Sequence, residues 1–483
     1  MAETAAKLRK PTIQEGLKPG LSLFDSVTIV AGSMIGSGIF IVSADIARHV
    51  GSPGALLAVW VASGLMTIAG ALSYGELAAM MPEVGGQYVY LREAYGSLLG
   101  FMFGWTLLLV VQTGTLAAVA VAFAKFAGVM WPALSSQLWF GVGSVGLSGE
   151  RVGAIAVIAL LTWTNLRGLD LGKLVQNVFT SAKVLSLLFI IVVGCLLARN
   201  AEAVRANFSG VRAFFGERPV SLSYAAAFGA AMVGGLFSLD AWANVTFAAS
   251  EVKNPRRNLP LALVLGTGMV LLLYLLTNVA YLCELPVRGV PNAPDLLSRG
   301  IAYATSDRVA AAAMERVWAG TGVVITAVLV MISTFGCANG MILTGARVIY
   351  AMARDGAFLP AGARLNAARV PAFALIIQGV WASALTISGS YSELLDYVMF
   401  AQLLFYVFTV AAVFVFRIKR PDAPRPYRVF GYPLVPAAYI VAATAMMVDL
   451  LIVKPHYTWP GLLIALSGAP VYALFVRGRA RAD

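Results

Sequence analysis

Charge is scarce in this chain. Asp, Glu, Lys and Arg make up 12% of its 483 residues and hydrophobic residues 59%. A soluble domain carries about twice that charged share, so a soluble globular fold is excluded. Histidine is scarcer still: His49 and His456 are the only two, and both fall near the ends of apolar runs. No His/Glu cluster of zinc-enzyme type, no Ser-His-Asp set and no glycine-rich phosphate loop is present, which argues against an enzyme and against any cofactor or metal. The three cysteines, Cys195, Cys283 and Cys337, lie in or beside apolar segments without metal-ligand spacing and read as free buried thiols. Acidic residues are outnumbered 23 to 35 by basic ones. Yet no basic stripe with interleaved aromatics occurs, so a nucleic-acid partner is not expected. The first 20 residues contain no apolar core, and no cleaved leader is expected.

What the chain has in abundance is long apolar runs. Twelve stand out, at roughly 22–48, 54–81, 98–127, 150–167, 173–198, 222–250, 260–284, 317–352, 370–389, 393–417, 433–453 and 459–476. The expected fold is an all-α membrane protein of twelve transmembrane helices. An even number places both termini on one side. Most lysines and arginines fall on that side, so both termini are expected in the cytoplasm. The long connection 199–221 weakens the bias, because Arg199, Arg205, Arg212 and Arg218 lie on the other side. The chain divides into an N-terminal segment 1–20, spans 1–5 over 21–198, an external loop 199–221, spans 6–10 over 222–417, spans 11 and 12 within 418–476, and a C-terminal segment 477–483.

Two runs are interrupted. The first holds Gly32-Ser33-Met34-Ile35-Gly36-Ser37-Gly38-Ile39-Phe40, rich in poor helix formers. An unwound stretch in lipid leaves peptide groups unpaired at several kcal/mol each, so it is tolerable only where it lines a cavity. The sixth holds Gly234-Gly235-Leu236-Phe237-Ser238-Leu239-Asp240-Ala241-Trp242, a glycine pair followed by an acid at membrane depth. Broken segments at corresponding positions of two halves point to a transporter's substrate site. Spans 1 and 6 would each open a five-span repeat.

Several stretches carry a family resemblance. They are Gly36-Ser37-Gly38-Ile39-Phe40, the connection Pro82–Gly96 with its glycine pair and three tyrosines, and Gln176–Lys183. The match continues from Phe237 to Pro260, through Phe335–Gly340, and at Ser467–Tyr472. In these blocks the chain resembles the amino acid–polyamine–organocation (APC) superfamily, and within it the bacterial L-type amino-acid transporters. The resemblance implies a LeuT-like five-plus-five inverted repeat with helices 1 and 6 broken. It also implies sodium-independent movement of amino acids across the inner (plasma) membrane.

The chemistry of the breaks suits such a substrate. Amides of Ser37, Gly38 and Ile39 at a helix N-terminus, with the Ser37 hydroxyl, suit a carboxylate, and Gly36 lies between them and the carbonyls. Carbonyls freed at Met34 and Ile35, and at Phe237, Ser238 and Asp240, suit an ammonium. The resemblance assigns these positions the same roles and makes Phe237 a gate; packing in the core is the competing reading for that ring. Lys183 sits about ten residues into span 5, roughly 15 Å deep, where a charge costs about 3 kcal/mol and calls for a partner. The resemblance places its ammonium where sodium-coupled relatives hold a cation, bridging Gly32–Ser33 to span 8 at Ser333 or Thr334.

Asp240 stays open between pairing with the substrate ammonium, assisting a proton, and satisfying amides freed by the break. Gln112, Thr113, Thr115, Leu239, Trp242 and Asn339 are further cavity candidates. Apolar neighbours Met34, Ile35, Leu239 and Trp242 favour neutral L-amino acids. Proton-coupled symport is the alternative to exchange; a membrane-embedded enzyme and a non-transporting receptor are remote ones. Animal L-type transporters attach a heavy subunit through an external cysteine after span 3. Residues 128–150 contain none, so no disulfide-linked partner is expected. The partners that remain are the substrate and the lipid bilayer.

Overall fold

The computed structural model describes residues 16–142, 145–216, 221–388, 391–453 and 455–479. Most of the predicted N-terminal segment 1–20, the last part of 477–483, and Arg218 in the 199–221 connection lie outside the described residues.

The architecture is helical, and helices occupy all twelve apolar runs. Among the described residues, eight are long and apolar enough to cross a membrane unaided, and one bent pair makes a ninth. Ala372–Ser388 and Thr458–Leu474 are shorter apolar helices. The bent pair is α1 (Leu23–Met34) and α2 (Gly38–Val50), which meet at 45°. Ser22 starts α1 with a capping box, its hydroxyl taking the Asp25 amide while the Asp25 carboxylate takes the Ser22 amide. Then come α3 (Pro53–Met80), the short α4 (Gln87–Tyr95), and α5 (Ser97–Thr106), which runs through a π-helical turn at Leu107–Val111 into α6 (Gln112–Ala127). The next connection holds an antiparallel hairpin, β1 (Leu138–Val142) with β2 (Val145–Ser148), an element the all-α expectation did not include.

α7 (Gly149–Leu166) and α8 (Leu169–Val192) follow, α8 ending in a second π-helical turn, Val193–Leu197. Short α9 (Ala201–Phe208) and α10 (Val211–Phe215) precede α11 (Leu222–Ser238). After α11 the chain continues as a 3₁₀ helix, Trp242–Glu251, and then α12 (Pro255–Glu284). The run read as 317–352 begins later, because Gly320 (φ 82°) turns the chain between a separate helix, Val309–Val317, and the long Gly322–Arg354. With the four-residue helix Leu296–Arg299 as α13, these two become α14 and α15. The last four helices are α16 (Ala372–Ser388), α17 (Tyr391–Lys419), α18 (Leu434–Val453) and α19 (Pro455–Arg479).

Along its membrane-spanning part α12 turns its polar side chains inward, the reverse of a soluble amphipathic helix. On α12 the leucines at 261, 265, 272 and 276 are exposed, whereas Thr267, Tyr274, Thr277, Asn278 and Tyr281 are buried. In lipid the apolar face needs no partner, and the hydroxyls and amides need one. Thus Ser43 donates to Asn278, and Thr267 and Thr277 bond carbonyls one turn back.

On α8 the same logic yields a polar stripe at Gln176, Thr180 and Lys183, all fully buried against α1. Gly32 permits the approach. A Cβ there would stand 2.1 Å from Gln176 Nε2 and 2.2 Å from Thr180 Oγ1.

Candidate functional site

Between α1 and α2 three residues, Ile35 to Ser37, leave the helix. The carbonyls this exposes are taken by side chains from four positions in other helices. Lys183 Nζ donates to Gly32 O and Ile35 O at 2.8 Å each. Ser333 Oγ lies 3.0 Å from Ile35 O and 2.9 Å from Gly36 O. The Cys337 thiol donates to Ser33 O at 3.0 Å, and the Tyr274 hydroxyl stands 3.3 Å from both Met34 O and Ser238 O. The Ile35 carbonyl, which the sequence suggested for a substrate ammonium, is therefore already occupied twice.

Lys183 reaches span 8 by packing, without a hydrogen bond: a Cβ on Gly336 of α15 would sit 3.2 Å from its ammonium. Thr334 bonds its own helix at Val330 O, so of the two α15 residues proposed from the sequence Ser333 meets this cluster, beside Cys337 of the same helix. Tyr274, Cys337 and Tyr281, whose hydroxyl lies 3.4 Å from Ile39 O, were not anticipated. The seven-residue spacing of Tyr274 and Tyr281, one face of a membrane helix, was the available signal.

The amides are disposed differently. Ser37 precedes α2 without a side-chain cap, and among the described residues the amides of Ser37, Gly38 and Ile39 have no protein acceptor. A helix N-terminus with bare amides carries partial positive charge and attracts anions. Gly38 brings this terminus against the end of α11, since a Cβ there would lie 2.2 Å from Ser238 Oγ.

The sixth span breaks otherwise. α11 ends at Ser238, Ala241 takes a left-handed φ of 65°, and the 3₁₀ helix begins at Trp242. Its freed amides find local acceptors: Leu239 N donates to Gly235 O and Leu236 O, Asp240 N to Phe237 O, and Asn244 N to Ala241 O. The Asp240 carboxylate accepts from the Tyr406 hydroxyl of α17 at 2.7 Å, a partner with no signal in the sequence.

Both breaks face a cavity of about 160 Å³. Met34, Gly36, Ser37, Gly38, Phe237, Ser238 and Asp240 line it, with Gln112 and Thr115 opposite. Phe237 is half-buried on its wall. Three other candidates point elsewhere. Thr113 is buried and bonds Leu108 O, Asn339 bonds Gly172 O and Gln176, and Trp242 packs edge-on against Tyr74 at 4.8 Å. Leu239, 1% exposed, is in the core. Asn244 and Gln402 line the cavity with unpartnered buried polar atoms, Asn244 Nδ2 and Gln402 Oε1.

The cavity's rim holds exposed Lys125 and Ser306 with Arg308, so it opens toward the face carrying β1–β2 and α13. The other face is shut by ion pairs. Arg347 meets Glu251 at 2.7 and 3.0 Å, both fully buried. Glu76 is buried between Arg417 and Arg425. Arg92 and the Tyr88 hydroxyl converge on Asp355. On α4, the Arg420 guanidinium bonded to Glu93 holds that carboxyl below its ordinary range. Backbone pairing ties this face too: Gly20 N and Leu21 N donate to Glu251 O, and Lys253 N returns to Leu21 O, each at 2.8 Å.

A known family accounts for this arrangement. The family model "Amino acid permease" matches residues 21–475. The chain is 32% identical over 465 residues to the b(0,+)-type amino acid transporter 1 of Mus musculus, covering 95% of this chain and 88% of that protein. It is 31% identical over 461 residues to the large neutral amino acids transporter small subunit 2 of Homo sapiens, covering 95% and 81%. A one-sided cavity between interrupted membrane helices, in a chain matched almost end to end, leads to one assignment: this protein belongs to the amino acid permease family of the APC superfamily, whose members are membrane transporters and not enzymes.

Proposed function

We propose that the chain exchanges L-amino acids, chiefly neutral ones, without sodium, by alternating access to the cavity between its two breaks. The observation that carries this reading is the Lys183 ammonium, held 2.8 Å from the carbonyls of Gly32 and Ile35. A fixed protein cation at the carbonyl cluster does what a bound sodium ion would do, so no sodium is required. The bare amides of Ser37, Gly38 and Ile39 receive the substrate carboxylate. The ammonium faces the carbonyls beside Met34 and those of Phe237, Ser238 and Asp240. Phe237 closes over the occupied site. Met34, Ile41, Val111, Val119 and Met341 on the wall favour an apolar side chain. The similar human protein is named for large neutral amino acids, which agrees.

In this reading the chain crosses the membrane twelve times, with spans 1–5 and 6–10 as inverted repeats around the cavity. Both termini are cytoplasmic, and the membrane is the cell's inner (plasma) membrane. The cavity then opens outward and the ion pairs seal the cytoplasmic side, one of the two end states of a rocking cycle. No disulfide-linked heavy subunit is expected, because residues 128–150 lack cysteine.

Asp240 supports the alternative of proton coupling, as a carboxylate on the cavity wall with a single side-chain donor. Counterflow in proteoliposomes separates the two. Exchange requires amino acid in the lumen and is indifferent to replacing sodium by choline. Uptake into empty vesicles driven by a proton gradient would overturn exchange in favour of symport, and strict sodium dependence would remove the role given to Lys183.

A further inference from the structure

Two of the three cysteines lie at one end of the membrane helices. Cys195 sits in the π-helical turn Val193–Leu197 that ends α8, and Cys283 is one residue before the end of α12. Their neighbours touch, Gly194 lying against Glu284 and Ala280, so both thiols sit at one junction, each half-buried, and neither is bridged. The expectation of buried thiols therefore holds for Cys337 alone.

The junction is fixed by backbone on either side. Asn200 N donates to Cys283 O at 3.0 Å. Arg316 joins the two elements, bonding Ala198 O from one and Glu284 from the other. Gly194 has no room for a side chain, since a Cβ there would stand 2.7 Å from Glu284 Oε1 and 2.9 Å from Ala280 Cβ. A widened turn beside a closely packed helix end places both thiols at the seam between the two helices, and π-helical turns are common where a function needs a re-aimed side chain.

These two helices also grip the first break. α8 does so through Lys183, and α12 through Tyr274 and Tyr281. If the break moves during transport, the two grips must shift relative to each other. A covalent tie between the helix ends opposes that shift.

We propose that Cys195 and Cys283 form a reversible disulfide that joins α8 to α12 and arrests transport. Two S–H bonds are lost and one S–S bond forms; two electrons and two protons pass to a disulfide oxidant, which leaves as two thiols. The pair goes beyond the transport reading and does not involve the substrate cavity.

The test uses the full-length protein in liposomes, treated with 4,4′-dithiodipyridine and digested for mass analysis. The expected result is a linked peptide pair containing Cys195 and Cys283, lighter by two hydrogens, with severalfold loss of exchange that dithiothreitol restores. Cys195→Ser and Cys283→Ser should form no such link and keep their exchange rate through the same oxidation and reduction. Absence of the linked pair in the parent protein overturns the proposal, as does a linked protein exchanging at the unlinked rate. Reduced protein that moves no amino acid would instead count against the transport reading, because the mass readout stands apart from flux.

Discussion

The two helix breaks solve one problem in opposite ways. At Ile35–Ser37 the exposed carbonyls are taken from outside, by Lys183, Ser333, Cys337 and Tyr274, while the following amides stay bare. At Leu239–Ala241 the backbone amides satisfy themselves through short-range bonds and one left-handed residue, and the outside contributes Tyr406 to the Asp240 side chain and the shared Tyr274 hydroxyl to the preceding Ser238 carbonyl. The first break is thus a property of the whole protein, and the second largely of its own sequence. Substitutions that touch the first should propagate widely; those at the second should stay local.

The largest effect should come from Lys183→Met, which keeps most of the stem and removes the ammonium. Two buried carbonyls then lose a charged donor, at about 1–3 kcal/mol for each group left unsatisfied. Ser333 can still reach Ile35 O but not Gly32 O, so the break should loosen at its α1 side. Thermal stability in detergent should fall, and exchange should drop by well over tenfold in protein that still reaches the membrane. Normal flux in this variant would show that the outside clamp is dispensable, and the contrast between the breaks would go with it.

Gly38→Ala is next, because it tests the place where the two breaks touch. The added methyl would overlap Ser238, whose Oγ lies 2.2 Å and Cβ 2.8 Å from it. α2 or the end of α11 must move, at a typical overpacking cost of about 1–3 kcal/mol. Substrate affinity should fall about tenfold or more, since about 1.4 kcal/mol is a factor of ten. Ser238→Gly in the same protein should recover part of it. Failure of the double variant to improve on Gly38→Ala would mean that the collision is not what the glycine avoids.

Tyr406→Phe should do less. It removes the side-chain donor from Asp240 without touching the backbone of the second break, and a bond to a charged group is worth about 1.5–3 kcal/mol. The cavity lies beside the carboxylate, so water can replace part of that loss. Affinity should change severalfold, with thermal stability hardly altered. A collapse as severe as that of Lys183→Met would show that the second break also leans on distant residues.

Much of this was legible in the residues themselves. Apolar runs located the helices, because lipid demands a continuous hydrogen-bonded backbone. Glycine with serine, and glycine with aspartate, located the breaks. The depth of Lys183 in its span marked a charge that needs a partner. What the sequence could not convey is which way a polar residue faces once every helix has polar neighbours. All four of Gln112, Thr113, Thr115 and Asn339 bond within the protein, yet Gln112 and Thr115 line the cavity and Thr113 and Asn339 do not. Their composition is alike; rotation about the helix axis separates them. Nor could it convey that the Ile35 carbonyl is already filled, since its two partners come from positions 148 and 298 residues away.

Gly36→Ala should have the smallest effect, though it lies at the centre of the first break. A Cβ there would meet only Cys337 Sγ, at 3.6 Å, an ordinary contact distance, and the position carries no left-handed φ. The methyl would lie toward α15, alongside the thiol that bonds Ser33 O, and so on the clamped side of the break. Stability should shift by about 0.5 kcal/mol or less, and exchange should stay near the parent rate. The comparison with Gly38→Ala is the point of the experiment, since two glycines two residues apart are equally prominent in the sequence. Equal damage at both would mean that backbone flexibility is what these glycines supply. Damage at Gly38 alone would mean that the first break is a rigid structure, cut to fit Ser238.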